Sequence, residues 1–307
     1  MRQAKSLRAK DGFRLFLLTT PVIALTFVFC YLPLAGWSYA FFDYKAGIKL
    51  FDNPFVGFKH FQSLFANPVI RADIARVMKN TIGMSLIGIG TSWLPMFVAI
   101  FLAEIGSGVY RKIVQTVTTI PYFISWILVY SLAYAMFSTE DGFVNKLLIS
   151  LGLADTGANF LLDSSHMWLK MWLYSTWKGL GWSAIMYIAS IAGIDHELYE
   201  AAAIDGATRM QRIWHVTVPS LLPAFFVLLL LAIANLINNG MDLYFVFQNA
   251  MNKEYIEVLD LYVYNKGIMS SSISFSTAVS AMKSIVSLTL LFVANFGSKL
   301  LRGESIF

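Results

Sequence analysis

The sequence predicts an all-α integral membrane protein with six transmembrane helices, and three observations carry that prediction. Of its 307 residues, 57% are hydrophobic and 13% charged, with mean hydropathy +0.64. Soluble domains carry about 25% charged residues, so half that share leaves too little polar surface for a water-soluble globule. Apolar runs of about 20 residues, the length that crosses a bilayer as helix, recur along the chain. Lys and Arg gather at the ends of alternate runs, as membrane topology requires. The net charge of +5 therefore reflects loops at span ends and does not point to nucleic acid. The single cysteine, Cys30, lies inside an apolar run, which excludes an internal disulfide and leaves packing as its role.

Taken in order, Arg2, Lys5, Arg8, Lys10 and Arg14 precede a first span from Leu15 to about Trp37. This run exceeds the roughly 7–15 residues of a signal-peptide core, so a retained span is expected. Residues 38–79, mixed and aromatic, read as an extracellular segment whose end, about 69–79, forms an amphipathic helix leading into span two. Spans two and three run about Thr81–Ala103 and Ile113–Phe137, joined by a turn containing Gly106, Gly108, Arg111 and Lys112. After the polar stretch 138–170, span four covers about Met171–Ile191, span five Leu221–Gly240 and span six Thr277–Phe296. Gly83, Gly88, Gly90, Gly179 and Gly181 are expected to permit close helix packing. With the N-terminus inside, the cytoplasmic segments hold eleven Lys and Arg. The two later outer loops hold only Lys146, Lys170, Lys253 and Lys266; the first outer segment adds six, but it is long and partly pre-helical. The rule favours both termini inside. The expected division is a cytoplasmic segment 1–14, a first span with extracellular segment 15–75, a core 76–297, and a cytoplasmic tail 298–307.

Between spans four and five lies a charged stretch, DHELYEAAAIDGATRMQRIWHVTVP, residues 195–219. Asp195 is placed to cap a short helix, with Glu197 and Glu200 near its positive end. Gly206 stands where a helix stops with positive φ. Thr208 is placed to cap a second short helix through Trp214, and Pro219 opens the next span. The small pair Ala201 and Ala202 keeps one face thin.

The spacing Glu200-Ala201-Ala202, three residues, Gly206, nine residues, then Val216-Thr217-Val218-Pro219 resembles the EAA loop of ABC importer permeases. The usual ending is Ile-x-Leu-Pro, from which Val216 and Val218 are conservative departures. Residues 256–268 and 275–296, with FFDYKAG and FVGFKHFQSLF near the start, are similar to the polysaccharide-import branch of the maltose-type (type I) permeases. The likeness covers almost the whole chain. It implies the type I permease fold in a bacterial cell membrane, with a coupling helix that docks on a cytoplasmic ATPase through Glu200, Ala201, Ala202, Asp205, Gly206 and Pro219. It also implies a second permease chain, two ATPase subunits that hold ATP and Mg, and an extracellular solute-binding protein delivering an oligosaccharide. The competing readings are an importer of another solute, such as a glycerol phosphate or a peptide, and a secondary transporter or membrane enzyme without ATPase partners.

The chain's own chemistry is sparse. There is no P-loop and no Gly-Lys pair, so ATP hydrolysis belongs to another chain. His60, His166, His196 and His215 are scattered without cysteine partners, and no Gly-x-Ser-x-Gly elbow occurs, so no metal site and no enzyme are expected. What stands out lies inside the spans. Lys178 and Lys283 each sit roughly 10 Å below the outer surface, where a charge must face protein or a water-filled cavity. Asp242 is a candidate partner, and Asn235, Asn238 and Asn239 add amides on the fifth span. Tyr122, Trp126 and Trp177 offer faces on which sugar rings stack. These nine residues form the candidate substrate path; the alternative is that the aromatics are belt residues and the amides helix–helix glue.

Overall fold

A computed structural model describes residues 2–302, entirely as helices and connecting loops apart from one isolated bridge between Phe42 and Phe55. Residues 303–307 of the expected tail lie outside the described residues. The chain divides into two compact units, 1–70 with 263–282, and 71–262 with 283–307.

In the first unit, α1 (Arg2–Thr26) continues through Phe27–Tyr31 and Leu32–Phe41, so helix begins well before the expected first span. Its apolar stretch Leu15–Phe41 has none of its most hydrophobic window buried, as suits a helix in lipid. Beyond it, the Asp43 and Val56 N–H groups donate to the Pro54 and Phe41 carbonyls at 2.9 and 2.8 Å. Phe41, Phe58 and Phe61 pack with centroids 5.4–5.7 Å apart, and α2 (Lys59–Ala66) follows. The buried Asn53 side chain closes the loop by donating to the Lys49 carbonyl at 2.8 Å and accepting the Lys45 N–H at 3.0 Å.

The second unit holds most of the expected core. From α3 (Pro68–Gly90) the chain passes through a turn into α4 (Leu94–Ala103), so the amphipathic lead-in and span two form one apolar stretch, Pro68–Ala103. Met96, Ala99 and Ile100 of α4 pack on Ala184 and Tyr187 of α8 (Met167–Ala192), joined by Leu221. Span three is not one rod. Gly108–Phe123, which begins as α5 (Gly108–Thr119), and α6 (Trp126–Phe137) meet at 105°. Pro121 withholds a donor, and Ser125, extended at ψ 153, caps α6 by accepting the Leu128 N–H at 3.4 Å. The polar stretch 138–170 contains α7 (Phe143–Ser150). Its buried Asn145 donates to the Ser138 and Ala158 carbonyls, both at 2.9 Å. The Ser165 hydroxyl and N–H hold the Asp163 carboxyl down at about 2.

After α9 (His196–Ile204), helix runs from α10 (Arg209–Arg212) through Ile213–Thr217 into α11 (Val218–Ala234). The second short helix therefore does not end at Trp214. Pro219 falls where the fully formed span begins. Span five stops at Ala234, six residues before the expected Gly240: the Leu236 N–H turns to the Ile233 carbonyl at 3.1 Å, and the Asn235 side chain adds a bond to the Leu231 carbonyl at 2.9 Å. Gly240, at φ +70, completes the turn. Then come α12 (Asp242–Phe247), α13 (Lys253–Ile256), α14 (Leu259–Tyr264) and α15 (Ile273–Arg302), the expected sixth span lengthened at both ends.

Among the described residues, four helical stretches are long and apolar enough to cross a bilayer, and the bent pair makes up to five. The 26-residue α8, expected as span four, is long enough but does not qualify by composition; Lys170, Lys178, Ser175 and Thr176 dilute it. The molecule is thus an all-α, multi-span membrane protein. The glycines divide. A Cβ at Gly181 would stand 2.1 Å from the Thr118 carbonyl oxygen, and one at Gly83 would stand 2.5 Å from the Trp168 ring, so both permit close approach as expected. At Gly88, Gly90 and Gly179 nothing lies within 4 Å. Two of these, Gly88 and Gly179, line a cavity of about 480 Å³.

Candidate functional site

The segment between α8 and α11 is built from local signals. Asp195 accepts the Glu197 N–H at 3.0 Å and starts α9. At the other end the Asp205, Gly206 and Ala207 N–H groups return to the carbonyls of Ala201, Ala203 and Ala202 at 3.0, 3.1 and 2.9 Å. This closure requires the left-handed backbone that Gly206 supplies at φ +75. Thr208 and Gln211 form a reciprocal capping box that opens the next helix. The Tyr199 hydroxyl and Thr217 Oγ1 lie 3.0 Å apart and tie α9 to that helix. Glu200, Ala201, Asp205 and Gly206 are exposed, Ala202 is half-buried, and Pro219 is exposed on the helix beyond. Not one residue of α9 is buried. Ile204, which sequence reading had not singled out, is 87% exposed, and Leu198 and Met210 stand out beside it. An amphipathic helix that buries none of its apolar residues presents them outward.

The second constellation sits at the break in span three. Because the helix stops there, the Tyr122 carbonyl is free of the α-helical ladder and accepts Lys178 Nζ at 2.5 Å. The same ammonium stands 5.1 Å over the Tyr122 ring and 5.2 Å over the Trp126 ring. Tyr122 in turn stacks on Trp182 at 4.5 Å with an interplanar angle of 4°. Ser125, Ser175 and Asp242 complete the polar lining of a cavity of about 770 Å³ with Lys178, Tyr122 and Trp126. It combines a cation, a carboxylate, hydroxyls and aromatic faces, groups able to hold a hydroxylated and charged ring.

The other path candidates do not join this cavity. Trp177 is exposed and does not line it. The three asparagines do not share one helix. Asn235 caps α11, Asn238 donates to Ser287 Oγ at 3.1 Å, and Asn239 donates to Ser85 Oγ at 2.9 Å, so they fasten the 235–240 turn. Lys283 pairs with Asp260 rather than Asp242, and Asp260 also accepts the Gly240 N–H at 2.9 Å. Sequence reading missed Asp260 because nothing in the pattern of α14 points to a partner 23 residues on, in the sixth span. It also missed the buried Glu257, which accepts Arg76 at 2.8 Å while Asn80 Nδ2 donates to the Glu254 and Glu257 carbonyls at 2.9 and 3.1 Å.

Residues 92–302 match the family described as binding-protein-dependent transport system inner membrane component. The chain is 35% identical to protein LplB of Bacillus subtilis (strain 168) over 95% of its own length and 91% of that protein's. It is 34% identical to the polygalacturonan/rhamnogalacturonan transport system permease protein YteP of the same organism, over 95% and 90%. Among solved structures it is similar to a chain of a bacterial ABC transporter involved in the import of the acidic polysaccharide alginate. The TM-score there is 0.85 and the identity 29%, covering 98% of this chain and 100% of that one.

Proposed function

The chain belongs to the binding-protein-dependent transport system inner membrane components, and from that membership we propose which solute it passes and how it is driven. It is a non-catalytic permease subunit of an ABC importer of oligosaccharide or polysaccharide. The solute we propose is an acidic oligosaccharide, handed over by an extracellular binding protein. The observation that carries this is Lys178, held between two aromatic rings and a carbonyl oxygen in a cavity that also exposes hydroxyls. A cation so placed favours uronate carboxylates, and the rings Tyr122 and Trp126 suit sugar faces. The polygalacturonan/rhamnogalacturonan and alginate systems among the similar proteins support the same class.

The drive we infer is a cytoplasmic ATPase pair acting on α9, with a second permease chain beside this one. Six crossings with both termini inside follow if α8 crosses despite its polar residues; protein or cavity water rather than lipid would face Lys178. Glu200, Ala201, Ala202, Asp205 and Gly206 then form the docking helix, and Pro219 starts the span that carries its motion inward.

The test is uptake into proteoliposomes holding the assembled transporter and its binding protein. Lys178→Met should leave complex yield intact and slow uptake of an acidic oligosaccharide about tenfold or more, the scale of one charge-assisted hydrogen bond. A neutral oligosaccharide should be affected less. Unchanged acidic uptake removes Lys178 from the path, a drop in yield assigns it to holding the helix break, and preferred uptake of a glycerol phosphate overturns the saccharide class.

A further inference from the structure

A second polar cavity, of about 620 Å³, lies where the ends of α4, α5 and α8 approach α9 and the helical stretch after Thr208. Its floor is apolar, with Ile100, Ile188 and Ile191 among its residues. Arg111, Lys112 and Arg212 line it as cations, against the single carboxylate of Glu104, with His196 nearby. No ion pair among the described residues joins Glu104 to any of the three. Arg212 Nε is buried and finds no acceptor among the described residues. An atom closed to solvent cannot itself meet a ligand in the cavity, so what the cavity offers an anion is the summed charge of Arg111, Lys112 and Arg212 along its lining.

We propose that this cavity binds an anionic phospholipid of the cytoplasmic leaflet, its phosphodiester on the three cations and an acyl chain on the isoleucine floor. The excess of positive charge selects the anion. The apolar floor selects a lipid over free phosphate, because half of the cavity offers an inorganic ion nothing. Basic pockets between helix ends at the cytoplasmic face have this chemistry in general. The location rests on the orientation proposed above. The lipid would also touch the coupling segment, since Tyr199 and Thr217, which join α9 to the next helix at 3.0 Å, form part of the same lining. An occupant there sets the resting position of α9.

The experiment uses the full chain with its copurifying partners in nanodiscs of phosphatidylcholine, to which photoactivatable phosphatidylglycerol or phosphatidylethanolamine is added. Phosphatidylglycerol should label peptides around Arg111–Gln115 and Arg212 in preference to phosphatidylethanolamine, and inorganic phosphate should not compete. Arg212→Gln and Arg111→Gln should each weaken labelling about fivefold, the share of one cation near the surface. Lys146→Gln, an exposed cation of the outer loop, should leave it unchanged. Equal labelling by the two lipids, label confined to other peptides, or competition by inorganic phosphate would each overturn the proposal. So would labelling of the isolated chain that disappears in the assembled transporter, which would assign the cavity to a partner's carboxylate. The wild-type label map decides even if a variant fails to fold. Labelling is read without transport, so its failure leaves the transport reading standing, whereas external modification of Thr208→Cys would overturn the orientation alone.

Discussion

Replacing Arg76 with leucine is expected to destabilise the second unit by about 3 kcal/mol, the lower end of the cost of breaking a buried ion pair. The carboxylate of Glu257 is only 2% exposed and lies 2.8 Å from Arg76. Without the guanidinium, a buried charge loses its cationic partner. The opposite change is expected to cost less, because Arg76 is 28% exposed and has Asp73 at 3.6 Å, so Glu257→Leu leaves it a carboxylate and solvent. The pair also fixes the segment before α14 against α3, where Asn80 serves the neighbouring carbonyls and Thr81 Oγ1 accepts the Leu259 N–H at 2.8 Å. Thermal unfolding of the purified protein in detergent should rank Arg76→Leu below Glu257→Leu, with the double variant recovering part of the loss. Equal stability of Arg76→Leu and wild type would mean that the pair contributes specificity and not stability.

Gly206→Val is expected to abolish coupling while leaving membrane insertion intact. At φ +75 a side chain costs roughly 1–2 kcal/mol, and a β-branched one more, so the closure of α9 is depopulated by about five- to thirtyfold. Ile204→Asp should act differently. It leaves the backbone alone but places a charge on the most exposed apolar residue of α9, where a partner's apolar surface would have to bury it. Glu200→Lys reverses the charge on the same helix. All three should lower transport sharply, and Gly206→Val and Ile204→Asp should also weaken recovery of the ATPase chains with the permease. Ala203→Ser, an exposed and mild change on α9, should do neither. Transport at the wild-type level in Gly206→Val and Glu200→Lys together would make the segment a mere connector.

The local structure of segment 195–219 was legible because its signals are local. Asp195, Gly206 and Thr208 each act within four residues of themselves, and each does what its type and place require. The apolar spans were legible for the same reason, since twenty apolar residues need no partner to be recognised. What failed was either longer in range or set by a competing local bond. Span three carried its own warning in Pro121 and Ser125, yet continuous hydrophobicity concealed a 105° bend. Span five ended early where the Leu236 N–H turned to the Ile233 carbonyl, three residues back, a local bond that the apolar pattern does not show. The partner of Lys283 lies 23 residues away and that of Arg76 lies 181, distances over which periodicity says nothing. The cavity was half legible: Lys178, Tyr122, Trp126 and Asp242 do come together, while Trp177, the three asparagines and Lys283 serve elsewhere.

The most direct measurement is cross-linking from position 204 in the assembled transporter, with Ile204→Cys as the only cysteine after Cys30→Ser. The expected result is a product joining the permease to its ATPase chain, whose yield changes when ATP is added and which forms in sealed cells only with a membrane-permeant reagent. Modification of residue 204 from outside intact cells, or cross-links that never include an ATPase whatever the nucleotide, would contradict the reading of this helix as the coupling element.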